Sequence, residues 1–318
     1  MVEKLKPDWA GADLLSHVVN LLIQTKPLYQ LMKLQARRIM IDTAEKKGVA
    51  WRKNYQTLEN GSAKSLLAPM TNSAIAYPDY YQVPFHAYEQ GNLCWQAALE
   101  APSATYAIAL RVWKNESLTW EEAHDRLRGC FHQAIAAYLP DRLEKVLDIG
   151  CSVGISTLTL HRYLQKRQTE PIQTIGLDLS PYMLSVAKVL DEKQEIAEWV
   201  HGNAEKTDFA DNSFDLVAIQ FLLHELPQLP SSQIFREVKR ILRPDGILAI
   251  VDNNPASPVI QGLPPALFLL MKSTEPWSDE YYTFDLEGEI QRVGLDYKST
   301  VASDPRHRTL VAVKSTAD

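Results

Sequence analysis

Three groups of residues in this 318-residue chain are spaced for chemistry. The first is Lys145-Val-Leu-Asp-Ile-Gly-Cys-Ser-Val-Gly154, an apolar run that ends in an acid and turns through two glycines. Gly150 allows a turn that a Cβ would obstruct, and Gly154 lets a following helix start close against the strand, bringing backbone N–H groups to a ligand. The second is Ile175-Gly-Leu-Asp178, a short apolar stretch ending in a carboxylate that can accept both hydroxyls of a ribose. The third is His224-Glu-Leu-Pro227. Its imidazole has a near-neutral ordinary pKa and the reach to remove a proton from a nucleophile, although a histidine at a strand end serves equally as a satisfied structural residue.

The elements that must position these groups alternate. The apolar run before Gly150 reads as a strand and Ile155 to Lys166 as an amphipathic helix. A second strand ends at Asp178, and Ser180-Pro181 supplies an N-cap and a first-turn proline for the next helix. A third strand ends at Gly202-Asn203-Ala204, and a fourth, Phe214 to Phe221, follows Asn212-Ser213. Ser231 to Leu242 is a helix. Pro244-Asp-Gly246 turns into a fifth strand, Ile247 to Val251, which Asp252 ends. Asp285 to Arg292 makes a helix stopped by Gly294. Asp296 to Ala302 and Arg308 to Lys314 read as two strands joined by so short a loop that they must be antiparallel. In open α/β sheets ligands bind outside the carboxyl ends of the strands, which places Gln220 to His224 at the reacting centre.

In these residues the chain resembles the class I S-adenosylmethionine-dependent methyltransferases. Val-Leu-Asp-Ile-Gly-Cys-Ser-Val-Gly is similar to that family's first motif and Gly-Leu-Asp-Leu-Ser to its second. Gly-Asn-Ala-Glu is similar to its adenine-edge motif, and Leu-Arg-Pro-Asp-Gly-Ile-Leu to its approach to the fifth strand. The likeness covers about Leu143 to Lys314; Ser152 departs from it, standing where a third glycine is usual. The resemblance implies an α/β fold with a seven-stranded, mostly parallel Rossmann-like sheet and a C-terminal antiparallel hairpin. Residues 141–318 would form the cofactor-binding domain and residues 1–140 an N-terminal helical cap. It implies S-adenosyl-L-methionine as cofactor, with Asp148 and the backbone of Gly150, Cys151 and Ser152 at its methionine end. Gly154 closes the loop, Asp178 takes the ribose, Leu179 the adenine face, Asn203 and Ala204 the adenine edge, Met183 is a further cofactor-binding candidate, and Gln220 stands near the reacting centre. His224 becomes the candidate catalytic residue, facing the transferred methyl.

Bulk properties bound the rest. With 46% hydrophobic and 23% charged residues the chain has the composition of a folded globular protein. A formal net charge of -6 argues against a nucleic-acid groove as the main surface. Three scattered cysteines fit a reducing compartment better than a disulfide framework, and with no apolar run long enough for a membrane helix a cytoplasmic location is the default. The eight histidines are dispersed, no two of them three to five apart and none near a Cys-x-x-Cys pair, so no metal site is expected.

Residues Ala12 to Lys47 read as two helices broken at Lys26-Pro27. Arg37, Arg38, Lys46 and Lys47 beside their apolar faces leave peripheral membrane contact open, but a packed helix with a solvated cationic face is the plainer reading. Ser62 to Asn72 reads as a loop, and Asn92 to Lys114 and Thr119 to Tyr138 as helices, the latter opened by the capping box Thr119-Trp-Glu-Glu122. Between them Tyr77 to Gly91 is dense in aromatics: it either lines a substrate pocket, through Tyr81, His86 and Tyr88, or anchors the helices onto the core. Trp277 and Tyr281, in the long segment Asn253 to Tyr282 with an expected helix over Pro265 to Lys272, suit a second wall, the alternative being an exposed capping loop, and His307 joins the substrate candidates. A similar Tyr-Pro-Asp-Tyr-Tyr and Pro-Arg-His-Arg-Thr occur in cyanobacterial and plastid methyltransferases. The expected reaction is in-line methyl transfer to a small, hydrophobic or aromatic molecule, with O-, N- and C-methylation and the oligomeric state open. Two rival readings are a regulatory cofactor-binding protein on the same fold and a nicotinamide-dependent oxidoreductase; the latter prefers Gly-x-Gly-x-x-Gly and a nearer acid.

Overall fold

The computed structural model describes residues 14–265, 269, 271 and 273–316. Its centre is a seven-stranded sheet: β1 (Lys145–Ile149), β2 (Gln173–Asp178), β3 (Glu198–His201), β4 (Phe214–Gln220), β5 (Leu242–Asn253), β6 (Asp296–Ala302) and β7 (His307–Val313). They lie in the order β3-β2-β1-β4-β5-β7-β6. The first five pair in parallel, and β7 runs antiparallel to both β5 and β6. The chain therefore leaves β1 for one side of the sheet and returns on the other, opening a crevice above the carboxyl ends of β1 and β4.

Alternation along β1 assigns its two faces. Val146 packs with Phe131 and Ile135 of the helix Trp120–Ile135 and with Leu160 of the helix Ile155–Gln165. Leu147 and Ile149 point the other way, onto Ile234, Phe235 and Val238 of the helix Gln228–Ile241 and Ile290 of the helix Leu286–Arg292. Strands buried on both faces need continuous apolar runs, which is why β1, β4 and β5 lack polar alternation. Each large side chain buried there contributes about 1.5–3 kcal/mol against exposure.

The helices open as their sequences dictate. Thr119 and Glu122 form the expected reciprocal cap, and Ser180 accepts the N–H of Met183 ahead of Pro181. Pro27 sits in the first turn of Lys26–Lys46, after the helix Leu14–Gln24. On the outer side of these two helices Leu15, Leu21, Leu31, Leu34 and Ile39 are exposed. Among the described residues no helix is long and apolar enough to cross a membrane.

Two local expectations change. Ser62 to Asn72 is not a plain loop: it holds a 3-10 turn, Ala63–Leu66, and a short helix, Leu67–Met70, in which Pro69 lies in the first turn and blocks no helical hydrogen bond. The turn at Pro244 is a bulge within β5, since Phe214 pairs with Leu242 and Leu216 with Ile247, leaving Arg243 to Gly246 looped out. Of the helix expected over Pro265 to Lys272, residues 266–268, 270 and 272 lie outside the described residues, as do residues 12 and 13 of the first helix.

Candidate active site at the carboxyl edge

The loop after β1 is held by backbone bonds to the neighbouring strand, Gly150 and Cys151 both donating to the carbonyl of Leu177, at 2.8 and 3.0 Å. Gly150 has φ +70, and a Cβ on it would come within 2.8 Å of Leu222. Ser152 also sits in the left-handed region, at φ 49. Glycine is favoured there because of backbone angle rather than side-chain size, so serine is accommodated with strain on the order of 1 kcal/mol. The strain is held by a bond from the Ser152 N–H to Oδ2 of Asp178 at 2.7 Å, while Oδ1 accepts the Ser180 N–H at 2.8 Å. Each oxygen keeps a second lone pair, enough for two hydroxyls. Burial pushes Asp178 up to about 6, against the pull of those N–H groups.

Asp148 lies fully buried beneath the loop, accepting Thr157 Oγ1–H at 2.6 Å and Gln220 Nε2–H at 3.2 Å. Its carboxylate therefore ties β1 to β4 and to the helix after the loop, and burial raises its pKa to about 6. Gln220 keeps Oε1 without a partner among the described residues. The Cys151 side chain packs with Leu158, Leu184 and Trp199 beneath the loop, where burial raises its thiol pKa. Met183 packs with Val153, Ile155 and Ala97, joining the helix Pro181–Leu190 to the helix Trp95–Val112. Leu179 offers its carbonyl to His201 Nε2 at 3.1 Å, and Asn203 Oδ1 accepts the Glu205 N–H next to half-buried Ala204.

Past β4 the chain bends sharply because Phe221 has φ 60, an outlier for an aromatic residue. That bend aims the 3-10 turn Leu223–Glu225 back over the crevice. His224 Nδ1 bonds Asp252 Oδ1 at 2.7 Å at the end of β5, and Asp252 also accepts the backbone N–H of His224 and of Asn253. Burial opposes the charged imidazolium, but Asp252 outweighs it and pushes His224 up to about 10. Burial also raises Glu225 to about 8, with Glu275 and Asp178 adding negative field.

The aromatic stretch Tyr77 to Gly91 forms a strap across this edge. Tyr80 donates to Glu205 Oε1 at 2.6 Å and accepts Trp277 Nε1–H on its carbonyl at 3.3 Å. Asn72 N–H and the Leu179 carbonyl take the two ring nitrogens of His201, and Tyr77 OH lies 3.3 Å from Nε2. Asn92 anchors the far end, accepting Ser180 Oγ–H on its carbonyl at 2.7 Å and donating Nδ2–H to Glu225 Oε2 at 3.2 Å. Tyr81, Val83, Phe85, Asn92, Leu222 and Glu225 are thereby gathered around one cavity.

The remaining substrate candidates divide. His86 approaches Glu225 to 3.8 Å, and Tyr281 stands edge-on to His224 with centroids 6.3 Å apart, its hydroxyl held by the Asn253 carbonyl. Tyr88 turns away to donate to Glu100 at 2.7 Å. His307 is buried against Phe221 and bonded to Asp304 at 2.8 Å, where it fastens the hairpin. Glu225, Asp252, His201 and Asn92 were not among the expected site residues, because their partners lie in distant parts of the chain.

A family model described as "Methyltransferase domain" matches residues 147–250. A demethylmenaquinone methyltransferase of Lactiplantibacillus plantarum is 38% identical over 120 residues, 36% of this chain and 48% of that protein. An uncharacterized methyltransferase of Synechocystis is 36% identical over 132 residues, 42% of this chain and 58% of that protein. The chain thus spans about half the length of these curated relatives. A crystal structure of a protein from Pyrococcus horikoshii OT3 is 18% identical, covering 60% of this chain and 92% of that one at a TM-score of 0.46. The similarity to a methyltransferase domain thus runs from Leu147 in β1 to Ile250 in β5, the stretch that supplies Asp148, Asp178 and Gln220 to the edge described above.

Proposed function

We propose that this chain binds S-adenosyl-L-methionine across the carboxyl ends of β1 and β2 and methylates a small hydrophobic or aromatic acceptor under the aromatic strap. The observation that carries the reading is Asp178. Its two oxygens are each fixed by one backbone N–H and each keep a lone pair at the strand end, the arrangement a ribose diol requires. Gln220 Oε1, buried and without a partner, suits the cofactor's amino group, and the Gly150 turn lets the backbone approach closely.

When bound, this cofactor supplies an electrophilic methyl carbon: the acceptor's lone pair forms the new bond, the carbon–sulfur bond breaks, and its electrons stay on a neutral sulfur. Tyr81, Phe85 and Leu222 keep water from that line. Asp252 engages Nδ1 of His224 and holds the ring in its charged form up to about pH 10, so Nε2–H orients an acceptor oxygen, and Nε2 takes the acceptor's proton only once the ring has given up its own. The demethylmenaquinone methyltransferases among the relatives support a quinol-like ring as the acceptor class.

Isothermal titration tests the cofactor assignment. Asp178→Asn should weaken S-adenosylmethionine binding at least tenfold with the far-UV circular dichroism retained, because one carboxylate oxygen becomes an NH2 that cannot accept; the backbone N–H it leaves unpaired should lower the melting temperature modestly. Unchanged affinity would remove the ribose assignment. Incubation with isotope-labelled cofactor and a panel of quinols, phenols and amines then reads the acceptor class, and label in amines alone would overturn the quinol reading.

A further inference from the structure

We infer that His86, His224 and Glu225 form a binding site for one divalent transition cation of the zinc class. One ligand atom from each of the three lies within 4.8 Å of the others, with His86 Nε2 and Glu225 Oε1 3.8 Å apart. His86 is far in sequence from the adjacent pair His224 and Glu225, which is why the spacing of the histidines gave no sign of a metal and none was expected. The inference concerns a further ligand of this edge and does not depend on the methyl-transfer reading.

The outer partners are those a metal site needs. Histidine ligands ordinarily give their second ring nitrogen to a carboxylate, which fixes tautomer and ring orientation. Asp252 does this for His224 through Nδ1 at 2.7 Å, so Nε2 is the nitrogen presented to a ligand. Asn92 Nδ2 does the equivalent for Glu225, engaging Oε2 at 3.2 Å and leaving Oε1 toward His86.

The third residue is held in position at some strain. His86 and Ala87 both have positive φ, 48 and 68, and this consecutive left-handed pair is pinned by Phe85–Tyr88 backbone bonds and by His86 N–H to the Thr274 carbonyl. Backbone strain of this kind persists only where surrounding structure over-determines it. Here the surroundings bring an imidazole with 39% of its side chain open to a carboxylate that is mostly buried.

Two imidazoles and one carboxylate select zinc, cobalt, manganese or iron over magnesium, which prefers oxygen alone. Three protein ligands leave a coordination position open, as catalytic zinc sites do. Glu225 lines the strap cavity, so the open position takes water or an acceptor oxygen entering there.

The test uses the full chain stripped with a chelator and titrated with Zn2+, and separately with Co2+, whose visible absorption reports coordination by nitrogen donors. One equivalent should bind, with a cobalt spectrum that Zn2+ displaces. His86→Asn, chosen because asparagine tolerates a positive φ, and Glu225→Gln should each weaken uptake at least tenfold with circular dichroism and melting temperature retained. Asp252→Asn should weaken it about 10- to 100-fold. Asp178→Asn should leave metal uptake unchanged while lowering cofactor affinity, so the two assignments fail separately. Absence of stoichiometric binding, or binding that survives both His86→Asn and Glu225→Gln, would overturn the site.

Discussion

One indole, Trp199 of β3, packs against Gly176 of β2 and Gly154 at the start of the helix after β1, and this gives a prediction with a built-in control. An ideal Cβ at Gly176 would lie 2.6 Å from Cε3 and Cζ3 of Trp199 and 3.0 Å from the sulfur of Cys151. One at Gly154 would lie 2.3 Å from Trp199 Cη2. The indole is buried and rigid, so neither contact can be relieved by swinging a flexible tail aside. Overpacking of this kind costs about 1–3 kcal/mol, and the depth of the overlap puts both glycines near the upper end. Gly154 carries a further burden, since its φ is +75 and a left-handed backbone costs an L-residue about 1–2 kcal/mol. Gly176→Ala should therefore lower stability by about 3 kcal/mol and Gly154→Ala by about 4 to 5 kcal/mol. Trp199→Leu removes the obstacle. Combined with it, Gly176→Ala should become nearly neutral, a coupling of about 3 kcal/mol, whereas Gly154→Ala should retain a loss of about 1 to 2 kcal/mol that no side-chain change can recover. Urea unfolding followed by far-UV circular dichroism, on the four single and double variants with Trp199→Leu and the parent, measures both cycles. Additivity within about 0.5 kcal/mol at Gly176 would refute the packing argument, and complete rescue at Gly154 would refute the backbone one.

Other expectations follow from the same edge. Asp148 titrates at about 6 when folded, above its ordinary 3.8, so its contribution to stability is complete below the unfolded value and is lost as pH rises through about 6. Asp148→Asn lacks that term, and the stability of the parent relative to this variant should fall by about 2 kcal/mol between pH 4 and pH 7. Parallel pH profiles in urea unfolding would contradict the burial of that charge. Ser180→Ala removes a helix cap and the strap's bond to Asn92 together, and should lower stability by about 1–2 kcal/mol. Hydrogen exchange should show the accompanying loss of protection in residues 85–95, and a loss confined to the helix Pro181–Leu190 would mean that Ser180 does not hold the strap.

What was legible in the sequence is what chain neighbours decide. The loop at Gly150, the acid at Asp178, the caps at Thr119 and Ser180 and the antiparallel ending are all set within a few residues, by periodicity, turn glycines and short connections. The strap is different. Tyr80 meets Glu205 across 125 positions and Asn92 meets Glu225 across 133, and no local pattern encodes either pairing. The same blindness kept Glu225 and Asp252 off the expected site, although each stands beside a residue that was singled out. Tyr88 and His307 looked like pocket residues by composition, but nearby carboxylates, Glu100 and Asp304, claim their polar atoms. Ser152 shows the limit from the other side: it stood out only as a missing glycine, whereas the decisive quantity is a backbone angle that composition does not display.

The strap's fastenings tie the covering segment mechanically to Asp178. Ser180 holds Asn92 with its hydroxyl and Asp178 with its amide, so the covering segment and the acid proposed for the ribose hang from a single serine. Under the proposed function, rewriting Tyr77 to Gly91 to change the acceptor should therefore also change the affinity for the methyl donor, even where no rewritten side chain reaches it. On the same reading, a chain without that segment would leave a bound sulfonium open to bulk water, a reagent that competes for the same methyl.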